Sequence, residues 1–252
     1  MKKYYITVLS LTLFGCASQA PITEWFPHSS AAKLPFVRHE NYAFGYHEES
    51  EQAAWVFYEL LASELQGERQ QRSDNFREDP LVPTGSASLA DYRKSGYDRG
   101  HLAPAADMAF SREAMEESFY LSNMSPQQPG FNRGIWRELE SLVREWAEQY
   151  QRLFVVTAGI VLTEETLPTI GANKVRVPRH YYKIIYDPQR QSMIAFLLEN
   201  RKHGKGEDLS RFALSVDRIE ELSLLDFFPQ LPDSIETRIE AISDLNHWDF
   251  GQ

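Results

Sequence analysis

His101 closes the tetrapeptide Asp98-Arg-Gly-His101, and a second polar run, Ser122-Asn-Met-Ser-Pro-Gln127, leads through a Pro/Gly-broken loop to Asn132, Glu140 and Arg144. An imidazole has an unperturbed pKa near neutrality, so His101 is the natural candidate for a general base. Asn132 stands between Gly130 and Gly134 where a loop becomes a helix, and its amide oxygen is a hard ligand suited to Mg²⁺. That ion keeps several of its waters, so a single asparagine suffices to hold it. Arg99 offers positive charge to a phosphate, Gly100 lets the backbone pass close to a substrate, and Asp98 can orient the loop. A base for water, fixed positive charge for the transition state and a proton or metal for the leaving oxygen are what phosphodiester hydrolysis requires. Each residue alone has a plainer reading: a structural histidine, a helix N-cap at Asn132, and a surface ion pair between Glu140 and Arg144.

The elements that must position these groups are legible in outline. Ile135, Leu139, Leu142, Val143, Trp146 and Tyr150 recur on one face of a helix beginning near Asn132, with Arg133, Arg137, Glu140 and Arg144 on the other side. Glu140 lies eight residues beyond Asn132. A straight helix separates them by about 12 Å, too far to share one coordination sphere. Helical side chains lean toward the N-terminus, which aims Glu140 at the metal's water shell. Upstream, the aromatic runs Asn41–Tyr46 and Ala53–Tyr58 form a hairpin across His47–Gln52. Residues from Gln66 to Leu81 read as an extended loop carrying Arg69 and Arg72 and ending in Asp79-Pro80. Downstream, Leu153–Gly159, Val175–Pro178, Tyr181–Tyr186 and Met193–Leu198 read as strands, and Asp208–Leu225 and Ser234–Ile242 as helices. Strands mixed with helices, without regular alternation, make the fold class α+β or mixed α/β.

The 252 residues, 42% of them hydrophobic, are enough for one substantial core. Three segments are expected: 1–15, 16–35 and 36–252. In the first, Lys2 and Lys3 precede an apolar stretch from Tyr4 to Phe14 that is too short to span a bilayer, the pattern of a signal peptide. Leu13-Phe14-Gly15-Cys16 resembles a bacterial lipobox, with Cys16 lipidated after cleavage, and Ala17 favours the outer membrane of the cell envelope over the inner one. Cys16 is also the only cysteine, so no intramolecular disulfide exists in this oxidising compartment. Residues 16–35 read as a tether, with order beginning near Phe36.

The net charge of −10 has the wrong sign for a polyanion binder, but it is unevenly spread. From Gly171 to Lys205 eight lysines and arginines face two acids, a balance of +6. From Gly206 to Gln252 three arginines face eleven acids, a balance of −8. Phosphate backbones respond to local potential, so a basic surface beside an acidic tail is compatible with nucleic-acid binding.

Taken together, Asp98-Arg-Gly-His101, Ser122-Asn-Met-Ser-Pro-Gln127 and the spaced Asn132, Glu140 and Arg144 resemble the DNA/RNA non-specific endonucleases, the ββα-metal nucleases that include mitochondrial endonuclease G. The likeness runs from about Asn41 to Phe228. It implies a central antiparallel sheet flanked by helices, with His101 as general base and Asn132 as the sole direct protein ligand of Mg²⁺, for which Mn²⁺ can substitute. It implies that Glu140 organises the metal's water shell, that Arg99, Arg144 and Arg72 stabilise phosphate charge, and that Asn123 is a supporting amide; loop length near Arg72 keeps Arg69 as its alternative. DNA and RNA would both be cut, to 5′-phosphate ends, by a monomer or a homodimer held to the membrane only through its N-terminal lipid. Two rival readings stand beside it: a phosphodiesterase acting on smaller esters, and a non-catalytic envelope protein that binds nucleic acid or a partner.

Overall fold

The expected hairpin is the starting edge of the sheet. In the computed structural model, which describes residues 22–162 and 166–251, β1 (Phe36–Arg38) and β2 (Ala43–His47) pair antiparallel, and β2 turns through Glu48–Ser50 into β3 (Gln52–Leu61). The turn closes with Glu51 in the left-handed region at φ 52°. After a single helical turn, α1 (Ala62–Leu65), the chain runs extended through Arg69 and Arg72 to α2 (Leu89–Tyr92). A separate ribbon follows, β4 (Asp98–His101) against β5 (Met124–Gln127), with α3 (Arg112–Glu117) between them in sequence.

Next come a short turn α4 (Pro129–Phe131), a π-helical stretch Asn132–Trp136, and the long helix α5 (Arg137–Tyr150). Strands β6 (Arg152–Gly159), β9 (His180–Asp187) and β10 (Ser192–Glu199) complete the sheet, with the small pair β7 (Thr169–Ile170) and β8 (Val175–Arg176) to one side. The chain ends in β11 (Ala213–Leu214), α6 (Val216–Ser223) and α7 (Asp233–Glu240). The seven-stranded sheet has the order β1-β2-β3-β6-β9-β10-β11 and is antiparallel throughout, as expected.

Alternation along the strands sends neighbouring side chains to opposite faces. One face carries Tyr58, Thr157, Lys183 and Phe196, and α5 covers it: Trp146 stacks on Phe196, and Trp136 meets Tyr181. Leu139, Leu142, Val143, Trp146 and Tyr150 are all buried, as the helical periodicity requires. Burial of one such leucine contributes about 1.5–3 kcal/mol. The other face carries Phe57, Phe154 and Tyr186 and is covered by Trp25 and Phe228.

That second cover corrects the boundary at Phe36. Residues 22–25 form a 3-10 turn, Trp25 stacks on Phe154 at 5.0 Å, and Phe26 is buried against Phe57. Two aromatic residues in a stretch rich in Ser, Pro and Ala, Trp25 and Phe26, pack on the core, so the folded unit starts well before Phe36. The expected helix from Asp208 to Leu225 also breaks, into the 3-10 turn Leu209–Phe212, strand β11 and α6, because Ala213 and Leu214 pair with the sheet edge. Cys16 and the leader lie outside the described residues.

Candidate active site

Polar groups of the Ser122–Gln127 run hold the β4–β5 ribbon in place before any chemistry is considered. Ser122 Oγ donates to Asp79 Oδ2 at 2.5 Å, and His39 Nε2 meets the same oxygen at 2.8 Å. Asn123 accepts from Ala103 N at 2.8 Å and donates to the carbonyls of Ala103 and Ser118 at 3.0 and 2.9 Å. Ser125 bridges Gln52 and Tyr181, and Tyr181 donates to Pro126 O. Gly100 lies under the Gln127 side chain, where an added Cβ would come within 2.1 Å of Gln127 Oε1. The glycine of the tetrapeptide therefore makes room for a buried glutamine rather than for a substrate. Asn123, with both ends of its amide spent on backbone, positions the loop after His101 and offers nothing to a ligand.

Above this ribbon lies an open cleft of about 560 Å³, lined among others by Arg72, Phe76, Arg93, Asp98, Arg99, Asn132 and Arg133. That volume is in the range of ordinary ligand clefts. Asp98, at the start of β4, accepts from Arg133 through both oxygens at 2.6 and 2.8 Å and from Asn132 Nδ2 at 2.9 Å. Burial works to raise Asp98, but the hydrogen bonds from Arg133 and Asn132 and the charges of Arg133 and Arg99 prevail and hold the carboxyl below its usual range. Holding Asn132 by its nitrogen leaves the amide oxygen as the free end. Asn132 is not a helix N-cap: it follows the first turn, α4, and opens the π stretch, whose backbone breaks at Gly134. The straight-helix spacing to Glu140 does not apply across that break.

His101 lies at the far end of β4, 8% exposed, with its ring edge-on to Phe119 at 4.9 Å and tilted against Phe76 at 5.8 Å. It does not line the cleft itself; Phe76 stands between. Arg99 lies over Phe76 at 4.1 Å and Arg72 over Phe119 at 4.8 Å, so two guanidinium groups are seated on the aromatic rings that enclose the imidazole. Burial first, then Arg72 and Arg99, push His101 down to about 3. Burial and the two guanidinium groups therefore favour the neutral ring, and its Nε2 is buried with no hydrogen-bond partner among the described residues. A neutral imidazole with an unused nitrogen is the form a base must take.

Arg69 and Arg72 differ in their partners. Arg69 donates to the carbonyls of Leu65 and Ala106 and is spent on the backbone. Arg72 lines the cleft with its side chain half exposed and its guanidinium paired with Asp74. The basic surface expected between Gly171 and Lys205 is not what faces the cleft: Arg176, Arg190 and Arg201 pair with Glu49, Asp187 and Glu199, and Lys183 is buried. The cleft's cations come from Arg72, Arg93, Arg99 and Arg133 instead.

Glu140 and Arg144 belong to a deeper polar layer and not to the cleft lining. The plainer reading of these two as a surface ion pair gives way to another pairing: Arg144 Nη1 binds Asp107 at 2.8 Å, and Asp107 also accepts from Tyr58 at 2.8 Å. Glu140 faces Lys183, whose ammonium is buried without a hydrogen bond, 5.1 Å from the Trp136 ring centre. Burial pushes Glu140 up and Lys183 down, while each one's charge steadies the other. No role is assigned from sequence to Asp107, Tyr58 or Lys183, since it is the folding of distant segments onto one another that brings them to this layer. Arg133 had a signal in its position next to Asn132.

A family profile described as DNA/RNA non-specific endonuclease matches residues 25–234. The chain belongs to that family. Nuclease C1 of Cunninghamella echinulata is 36% identical over 78% of this chain and 83% of its own length. Human endonuclease G is 34% identical over 76% of this chain and 69% of its own length. The human mitochondrial nuclease EXOG is 34% identical over 89% of this chain, which spans 64% of EXOG's length. Among solved structures, a crystal structure of an EndoG/EndoGI complex superposes with a TM-score of 0.73 at 32% identity, covering 79% of this chain and 87% of that one.

The donors present suit a hard cation. Asn132 offers one amide oxygen, and Asp98 is fully used by Arg133 and Asn132, so a cation here would have a single direct protein ligand and keep its waters. The half-buried Glu140, raised by burial, is a carboxylate that gains from nearby positive charge.

Proposed function

We propose that this protein is a Mg²⁺-dependent endonuclease that hydrolyses the phosphodiester bonds of DNA and RNA with little sequence preference and leaves 5′-phosphate ends. The observation that carries the reading is a cleft lined together by Arg72, Arg99, Arg133 and Asn132, with the His101 imidazole packed directly behind its Phe76 wall. Contacts made by arginine to phosphate carry no base information, which fits a substrate read by its backbone alone.

In this mechanism Arg72 and Arg99 draw the phosphate backbone into the cleft. His101 takes a proton from the attacking water through its neutral imidazole. Asp98 keeps Asn132 turned with its oxygen outward, and Asn132 would hold the metal with Glu140 supporting its hydration. Bound there, Mg²⁺ supplies Lewis-acid stabilisation of the developing charge and of the leaving oxygen. Arg144 acts through its bond to Asp107, fixing the layer beneath Glu140. Incubating plasmid and a structured RNA with the full-length protein, with Mg²⁺ or with chelator, tests the reading. Both polymers should be degraded only with metal, and intact polymers in Mg²⁺ would refute it.

The chain is further proposed to be a lipoprotein of the bacterial outer membrane, lipidated at Cys16, on the strength of Leu13-Phe14-Gly15-Cys16 and Ala17. Incorporation of labelled palmitate that survives Cys16→Ala would overturn this.

A further inference from the structure

The C-terminal helices hold a group of carboxylates that the cleft does not use. Asp217 and Glu220 stand one turn apart on α6, Glu240 closes α7, and oxygens from the three lie within 4.8 Å of one another. Glu240 is only 3% exposed, and its Oε1 is buried with no hydrogen-bond partner among the described residues. A carboxylate oxygen removed from water and given neither a donor nor a cation is a costly feature to leave standing. Glu220 is oriented by the Phe227 N–H, which donates to its Oε1 at 2.8 Å, leaving Oε2 available. Glu240 lies beyond residues 25–234, the stretch that matches the family, and none of the three lines the cleft.

We propose that Asp217, Glu220 and Glu240 form a second divalent-cation site, suited to Ca²⁺, that pins α7 to α6. The donor set favours calcium: three carboxylates carried by two separate helices offer hard oxygens in an irregular arrangement, which Ca²⁺ accepts in its flexible geometry, whereas Mg²⁺ demands near-ideal octahedral placement and gives up its waters reluctantly. Carboxylates from an exposed, a half-buried and a buried position give a site with one open side for entry and retained water. The competing state is a proton: burial, then Glu220, Glu236, Asp217 and Asp226, push Glu240 up to about 9 when no cation is present. Both helices pack on β10, so a cation between them would brace the sheet edge near the C-terminus.

The test uses the full-length protein, stripped with chelator, dialysed and titrated with CaCl₂ in a calorimeter, with thermal unfolding followed in parallel. Asn132→Ala serves as a second background that removes the cleft's amide ligand. One Ca²⁺ per chain should bind in both backgrounds, and Tm should rise by about 5–10 °C at a hundred times Kd. Glu240→Gln should abolish the response. Asp217→Asn, at an exposed position where folding is not at stake, should weaken binding at least about tenfold, the loss expected of a charged ligand. The proposal is overturned if Asn132→Ala abolishes calcium binding, if Asp217→Asn binds as the parent does, or if Tm follows pH and ignores Ca²⁺, which would make the cluster a shared-proton site only. An equal response to MgCl₂ would overturn the assignment to calcium.

Discussion

Around His101 the nearest formal charges are the guanidinium groups of Arg72 and Arg99, whereas around Glu240 they are the carboxylates of Glu220, Glu236, Asp217 and Asp226. Each region surrounds a buried titratable group with charges that oppose its own charged form, and each drives that group toward neutrality. The same physics gives opposite surfaces on one chain. A net charge of −10 therefore describes neither of them. A phosphate approaching the cleft meets arginines within a Debye length, about 8–10 Å at moderate salt, while the acidic helices contribute a screened background. Local field, set by which side chains the fold gathers, decides what each region can bind.

Substitutions that separate the two regions test that comparison. The largest effect is expected from His101→Ala, which should lower kcat by about 10²–10⁴-fold with an unchanged far-UV spectrum. Full activity in that variant would take the imidazole out of the reaction. Asp98→Ala frees the Asn132 amide to rotate, and the Mg²⁺ concentration for half-maximal cleavage should rise about 10–100-fold, with kcat largely recovered at saturating metal. An unchanged metal requirement would break the link between Asp98 and Asn132.

Smaller effects sharpen the contrast in charge. Arg72→Ala and Arg99→Ala should each weaken nucleic-acid binding and reduce the slope of log K against log salt by about 1, whereas Glu236→Gln should leave the slope alone. Equal effects from all three would mean that net charge, not the cleft, governs association.

The last prediction concerns stability in acid. His101 has a folded pKa near 3, below its unfolded value of about 6.5, so between these the unfolded chain binds the extra proton. Its contribution is complete above pH 6.5 and is lost as pH falls toward 3. From pH 6.5 to 5 the loss is on the order of 2 kcal/mol, or roughly 4–8 °C in Tm. His101→Ala should show a correspondingly smaller drop, and identical acid profiles would refute the buried, neutral imidazole.

Short-range information was enough for much of this molecule. The period of Leu139, Leu142, Val143 and Trp146 specifies one buried helix face, and the aromatic runs around His47–Gln52 specify the first hairpin, because both patterns act between residues adjacent along the chain. The motif residues at 98–101 and 122–132 marked the site and its family. Other features depended on which distant segments meet, and no local pattern encodes that. The core position of Trp25 and Phe26, the use of Gly100 to seat Gln127, and the exchange of the Glu140–Arg144 pair for Arg144–Asp107 are of this kind. So is the retreat of Asn123 into the scaffold. Residue types and spacing determined which chemistry the chain can attempt. Strand register and burial decided which groups touch, because charge and desolvation depend on distance in space and not along the sequence.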